Sequence, residues 1–268
     1  MSRRFLAFTK SLRIYYLKKA NKLCNIVLKT ISQRGVCGME GIRRAPVELR
    51  LARREAVRAK NEPPRLTIGE EVFNAVSHGL GAAFSIMGFV LLVLHSDTAF
   101  KMMASCFYGI SMMVMMLASS IYHAMPAGSA VKRICRRLDY SSIYLLIGGT
   151  FAPVLLVFLG NLPGIVFFCM QWGVILLGVT LVAVFGPGRW RPLHFTLYFV
   201  LGWSGLLFLP TLYRYDRTLL FLIFLGGIAY TIGMVPFARS KKYDHCVWHL
   251  FVLTGAMLHW FGIYTCLY

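Results

Sequence analysis

From about residue 73 onward the chain is a series of apolar runs separated by short polar breaks. The hydrocarbon core of a bilayer needs about 20 apolar residues in helical form. Runs of that order recur seven times, at approximately 73–95, 100–122, 140–159, 164–185, 195–212, 218–237 and 246–266. The breaks collect the charges, prolines and glycines: "HSDTAFK", "HAMPAGSAVKRICRRLD", "GNLPG", "GPGRWRP", "YRYDRT" and "RSKKYDH". Soluble domains would need polar faces on most of these helices, and the runs have almost none. Short connections favour antiparallel neighbours. The pattern therefore predicts an all-α, polytopic membrane protein, with residues 66–268 forming a seven-helix transmembrane bundle.

Composition agrees. Fifty-seven per cent of the 268 residues are hydrophobic and 15% are charged, against about 25% charged in a soluble domain. Mean hydropathy is +0.63. Charge adds a direction. Residues 1–65 hold 17 Lys/Arg against 4 Glu, a net +13, while the other 203 residues carry a net +6. Along the bundle, basic breaks alternate with nearly neutral ones. The positive-inside rule then puts the N-terminus in the cytoplasm and the C-terminus outside. Residues 1–65 stand apart as a basic N-terminal extension. Phe5, Phe8, Leu12, Tyr16, Leu23 and Val27 recur at roughly helical spacing among Lys and Arg. That suits an amphipathic helix on anionic lipid headgroups, although translation starting at Met39 would leave residues 1–38 outside the native chain. The charge is accounted for by membrane, and no nucleic-acid partner is expected. The seven cysteines form no CxxC pair, which points to reduced thiols rather than a disulfide or thiolate-metal framework.

Polar groups inside a bilayer are costly, so each needs a reason. With the topology above, Glu71, Asn74, Ser77 and His78 sit at the inner end of the first helix, and Ser119 and His123 at the inner end of the second. Asp139 opens the third, while His245 and His249 open the seventh. Four helices thus deliver polar side chains to one layer. Histidines at i and i+4 share a helix face, and His123 would complete a three-histidine site. Such a set suits zinc, with a fourth position left for water, though imidazole also accepts iron, copper and nickel. Asp139 could hold that water or orient a ligand, and Ser119 lies one turn before His123. Blander readings stay open: an interfacial histidine pair without metal, or Asp139 as a helix N-cap or a partner of Arg136 or Arg137. His194 reads as interfacial beside Arg191. His259 fits a core hydrogen bond or a pocket equally.

Four motifs in order, "EVFNAVSH" (Glu71, Asn74, Ser77, His78), "SSIYH" (Ser119, His123), "LDYSSIYLLIGGTFAP" (Asp139) and "HCVWHLFVLTGAMLH" (His245, His249, His259), resemble the hemolysin III family within the progestin and adipoQ receptor superfamily. The resemblance covers about residues 67–268 and is closer to the bacterial type, which implies a bacterial plasma membrane. It implies zinc on His123, His245 and His249, and Asp139 against the zinc-bound water. In the receptor branch it implies hydrolysis of the ceramide amide bond; in the bacterial branch it implies cytolytic or pore-forming activity, or a part in membrane-lipid homeostasis. The expectation is a zinc-dependent intramembrane hydrolase of a lipid amide or ester. The alternatives are a cytolysin with structural zinc and a lipid receptor without turnover.

Overall fold

The computed structural model describes residues 49, 51, 52 and 55–268. The amphipathic helix expected in residues 1–34, its lipid contacts and the start at Met39 lie outside the described residues. Val57–Tyr268 form one compact unit, and the few described residues of the other unit, Met1–Ala56, are helical.

No strand occurs among the described residues. Seven helices are long and apolar enough to cross a membrane: α1 Ile68–Leu94, α2 Ala99–Ala124, α3 Ala130–Leu159, α4 Leu162–Phe185, α5 Arg191–Tyr215, α6 Arg217–Arg239 and α7 Asp244–Leu267. The chain is a multi-pass integral membrane protein. Sequence sets most of the helix starts. Thr67, Thr98, Ser129, Asn161 and Asp216 each accept a backbone N–H of the first turn, satisfying donors that have no intrahelical partner. Thr67 also forms a capping box, in which the Glu70 carboxylate reaches back to the Thr67 N–H at 3.0 Å.

Two helices depart from regularity where the sequence lets them. Pro153 opens a π-turn, Pro153–Leu159, at the end of α3, and Gly160 at φ 53° stops it. In α5 a 3-10 stretch, Ser204–Phe208, interrupts the α-helix.

One expected boundary moves. The break "HAMPAGSAVKRICRRLD" reads as a long loop because it is charged, yet only Met125–Ser129 is non-helical. Ser129 caps α3, so the basic residues lie on its first turns, and Asp139 neither opens nor caps the helix. Asp139 sits on its third turn, facing inward at 9% exposure.

Helix α1 packs on α2, α2 on α3, α6 on α7, and α7 closes back on α1. Apolar burial does not distinguish protein from lipid here, so close packing decides the contacts. Gly178 lets Tyr144 approach α4: a Cβ there would lie 2.5 Å from Tyr144 Cζ. Outward-facing Leu80, Leu94, Leu177, Leu207 and Phe221 are more than half exposed, as a lipid-facing surface requires.

Candidate metal centre

Antiparallel connection brings the start of α1, the end of α2 and the starts of α3 and α7 to one end of the bundle, the end that carries most of the basic residues. There the structure gathers His123 from α2 with His245 and His249 from α7. One ring nitrogen from each lies within 4.8 Å of the others. His245 Nε2 is 3.0 Å from His123 Nε2 and 3.3 Å from His249 Nε2. His123 and His249 are buried, and His245 is half-buried.

The opposite edges of two rings fix which nitrogen faces the cluster. His123 Nδ1 donates to Glu71 Oε2 at 2.7 Å, which leaves a lone pair on Nε2. Ser77 Oγ spends its proton on Asn74 O, 3.1 Å away, so it accepts from His249 Nδ1 at 3.4 Å. The Nε2 of His249 therefore also carries a lone pair. An N–H on His245 Nε2 can serve only one of these two neighbours, whereas one cation satisfies all three nitrogens. A tetrahedral ion with metal–nitrogen bonds of about 2.0–2.1 Å separates its nitrogens by about 3.3 Å. The residues present fit a metal ion. A carboxylate behind a ligating imidazole, as Glu71 stands behind His123, is the usual support for such a ligand.

The other sequence-predicted residues distribute around this cluster. His78 stacks on His249 with ring centroids 3.7 Å apart. Asn74 and His78 are buried, and all four of their side-chain polar atoms lack a partner among the described residues. Asp139 stands on the α3 side with Ser119 facing its carboxyl group and His123 and Arg136 nearby. His259 lies two to three turns further along α7, where its Nε2 meets Ile223 O at 2.9 Å. It therefore makes the core hydrogen bond, and it also lines a cavity. His194, read as interfacial, lies on the first turn of α5 but is fully buried in the bundle, and its Nδ1 pairs with Tyr144 Oη at 2.9 Å.

Sequence reasoning misses Lys132 and the aromatic wall of the site. By composition Lys132 is one more loop charge, but its side chain is 1% exposed and meets Glu71 Oε1 at 2.9 Å. Its register is the available signal, because Lys132, Cys135, Arg136 and Asp139 share one helical face. Phe237 stacks on Trp248 at 4.8 Å and lies 5.8 Å from the His245 ring. Both aromatics also line an apolar cavity that runs between α3, α5, α6 and α7, past Tyr198, Trp203 and Phe224 to His259. The cavity thus begins one aromatic layer from the histidine cluster.

Comparison with known proteins adds a family. The family model for haemolysin-III related proteins matches residues 66–260. Hemolysin-3 of Bacillus cereus is 33% identical over 201 residues, covering 73% of this chain and 91% of that protein. The Hemolysin-3 homolog of Bacillus subtilis (strain 168) is 32% identical over 202 residues, covering 74% and 94%. The human monocyte to macrophage differentiation factor is 26% identical over 211 residues, covering 75% and 86%. Seven apolar helices and bacterial relatives at this level mark a multi-pass protein of the bacterial plasma membrane.

Proposed function

The chain belongs to the haemolysin-III related family, and from that premise we propose that it is a zinc-dependent intramembrane hydrolase of a lipid amide or ester. The observation that carries this reading is the convergence of His123, His245 and His249 on one point, with Glu71 behind His123 and the Asp139 carboxyl group on the facing helix. An all-imidazole set of three favours zinc over magnesium or calcium, which take oxygen ligands. When bound there, zinc supplies Lewis-acid activation of water and of a carbonyl.

The chain's own groups supply the rest. Among the described residues, Asp139 is the carboxyl group left uncommitted near the triad, since Glu71 is held by His123 and Lys132. It would take a proton from water and return it to the leaving group, with the Ser119 hydroxyl nearby to assist by hydrogen bonding. Asn74 and His78 offer unpartnered donors and acceptors beside His249 for the polar part of a substrate. The apolar cavity behind Phe237 and Trp248 suits a lipid tail. The basic end faces the cytoplasm in this reading, because basic flanks are retained on that side.

The test is to purify the chain, measure bound metal, and assay amide- and ester-linked lipids with wild type and His249→Ala. The reading expects zinc and turnover in wild type and loss of both in the variant. Full zinc occupancy in His249→Ala sinks the site, and a zinc-loaded wild type inert across the lipid panel sinks the hydrolase.

The name Hemolysin-3 on the Bacillus relatives favours a second reading, lysis of membranes with the metal as a structural clamp. Liposome leakage that persists in His249→Ala selects it.

A further inference from the structure

Lys132 is an unusual resident of this bundle. It belongs to the basic run at the start of α3, yet its side chain is 1% exposed. Its neighbours reach the rim: Arg137 donates to Ala183 O, and Arg133 to Gly128 O and Glu62. A buried ammonium costs several kcal/mol unless it is paired and fully hydrogen-bonded, and lysines near a membrane edge ordinarily extend to water. Lys132 turns inward instead.

Its three donors find three acceptors: Glu71 Oε1 at 2.9 Å, Met125 O at 2.9 Å and Tyr122 O at 3.2 Å. The two carbonyls flank His123 at the end of α2. The carboxylate belongs to α1 and uses its other oxygen on His123 Nδ1. One ammonium therefore grips both the backbone that carries His123 and the group that orients its ring. Rotation about the last torsion of a glutamate is broad and nearly free. With Lys132 on Oε1, that rotation is stopped, and Oε2 stays in line with His123.

We propose that Lys132 is a positioning residue of the metal centre: through Glu71 it locks the His123 ring so that Nε2 faces His245 and His249. The proposal rests on the metal-site reading above. It is separable from simple helix capping, because a cap would hold the carbonyls of α2 and leave the ring orientation to Glu71 alone.

The experiment uses the full chain in detergent. Zinc affinity is measured by competition with a chromophoric chelator for wild type, Lys132→Met, Glu71→Gln and the double variant, and metal-free stability is measured by thermal melting. Loss of a group supporting a metal ligand typically weakens affinity about 10–100-fold. Lys132→Met is expected to lose that much, and to add less than about threefold in the Glu71→Gln background, because coupled residues are not additive. Lys132→Gln, which can still donate to a carbonyl, is the second variant should Lys132→Met fail to fold, and it is expected to show the same loss. Lower metal-free stability with wild-type zinc affinity overturns the proposal and leaves a cap. Losses that simply add in the double variant overturn it as well. A wild-type chain that binds no zinc overturns both this proposal and the metal-site reading, whereas unchanged affinity in the variants overturns this one alone.

Discussion

Asn61 makes a sharp test of how the segment before α1 is held. It ends the helical residues 55–61, just ahead of Pro63 and Pro64. Its Nδ2 donates to Phe185 O at 2.9 Å and Val57 O at 3.2 Å, and its Oδ1 accepts from Gly188 N at 2.9 Å. Phe185 O is one of the last-turn carbonyls of α4 that has no intrahelical donor. Gly186, at φ 79°, and Gly188 clear the space, since a Cβ on either would overlap the Asn61 amide or the Lys60 carbonyl. Asn61→Ala removes three hydrogen bonds, each contributing about 0.5–1.5 kcal/mol net. The site is half-buried, so water recovers part of the loss, and the expected cost is about 2 kcal/mol. For a chain of this size that lowers the melting temperature by about 4–8 °C. The assay is tryptophan fluorescence in detergent at one heating rate, because such unfolding is judged as a rate. Arg58→Ala, at an exposed neighbour, serves as control. A variant melting within about 1 °C of wild type would refute the claim that Asn61 ties this segment to the end of α4.

Other expectations follow from the same distances. Ser77→Ala removes only a 3.4 Å contact to His249, so zinc affinity should fall by no more than about threefold, well short of the 10–100-fold expected at Glu71; chelator competition reads both, and a larger loss at Ser77 reverses the ranking. Gly226→Ala would drive a Cβ into the His259 ring on α7, an overpacking worth about 1–3 kcal/mol, seen as a lower melting temperature; an unchanged melt means that α6 and α7 separate freely. In the proposed hydrolase, Asp139→Asn keeps volume but removes the proposed base, so lipid turnover should drop about 100-fold or more with zinc retained; unchanged turnover removes Asp139 from the mechanism. Zinc added at about 100 times its dissociation constant should stabilise the metal-free chain by about 2.7 kcal/mol, and a melt indifferent to zinc argues against a folded-state site.

Seven helices are legible in the sequence because a hydrophobic run of bilayer length is rarely compatible with any structure but a membrane span. The breaks are less so. Charge suggests a loop across residues 130–139, although Ser129 is a good N-cap and the run contains no proline or glycine. What decides that segment is tertiary. Lys132 finds Glu71 from α1, Arg136 donates to Asn61 O at 2.9 Å, and Arg137 reaches the end of α4. None of these partners is near in sequence. The histidine triad is readable because i, i+4 spacing fixes two histidines on one face and topology delivers the third. The burial of His194 is not readable for the opposite reason: its partner, Tyr144, is 50 residues away and carries no local signal.

The depth of the site follows from its charge balance. Glu71 and Lys132 enter the bundle together, so the polar layer gains a carboxylate for His123 without a net buried charge. A lone carboxylate there would face the full desolvation penalty, and a lone ammonium likewise. The remaining requirement falls on His245, which is half-buried while its two partners are buried. Its ring is also the one nearest Phe237, the aromatic shared with the apolar cavity. On the α1 side the triad makes hydrogen bonds to Glu71 and Ser77, and on the α6 side the Phe237 ring lies against His245. In the proposed hydrolase, a lipid would reach the triad most easily on that second side, because moving the Phe237 ring breaks packing but no hydrogen bond to the histidines.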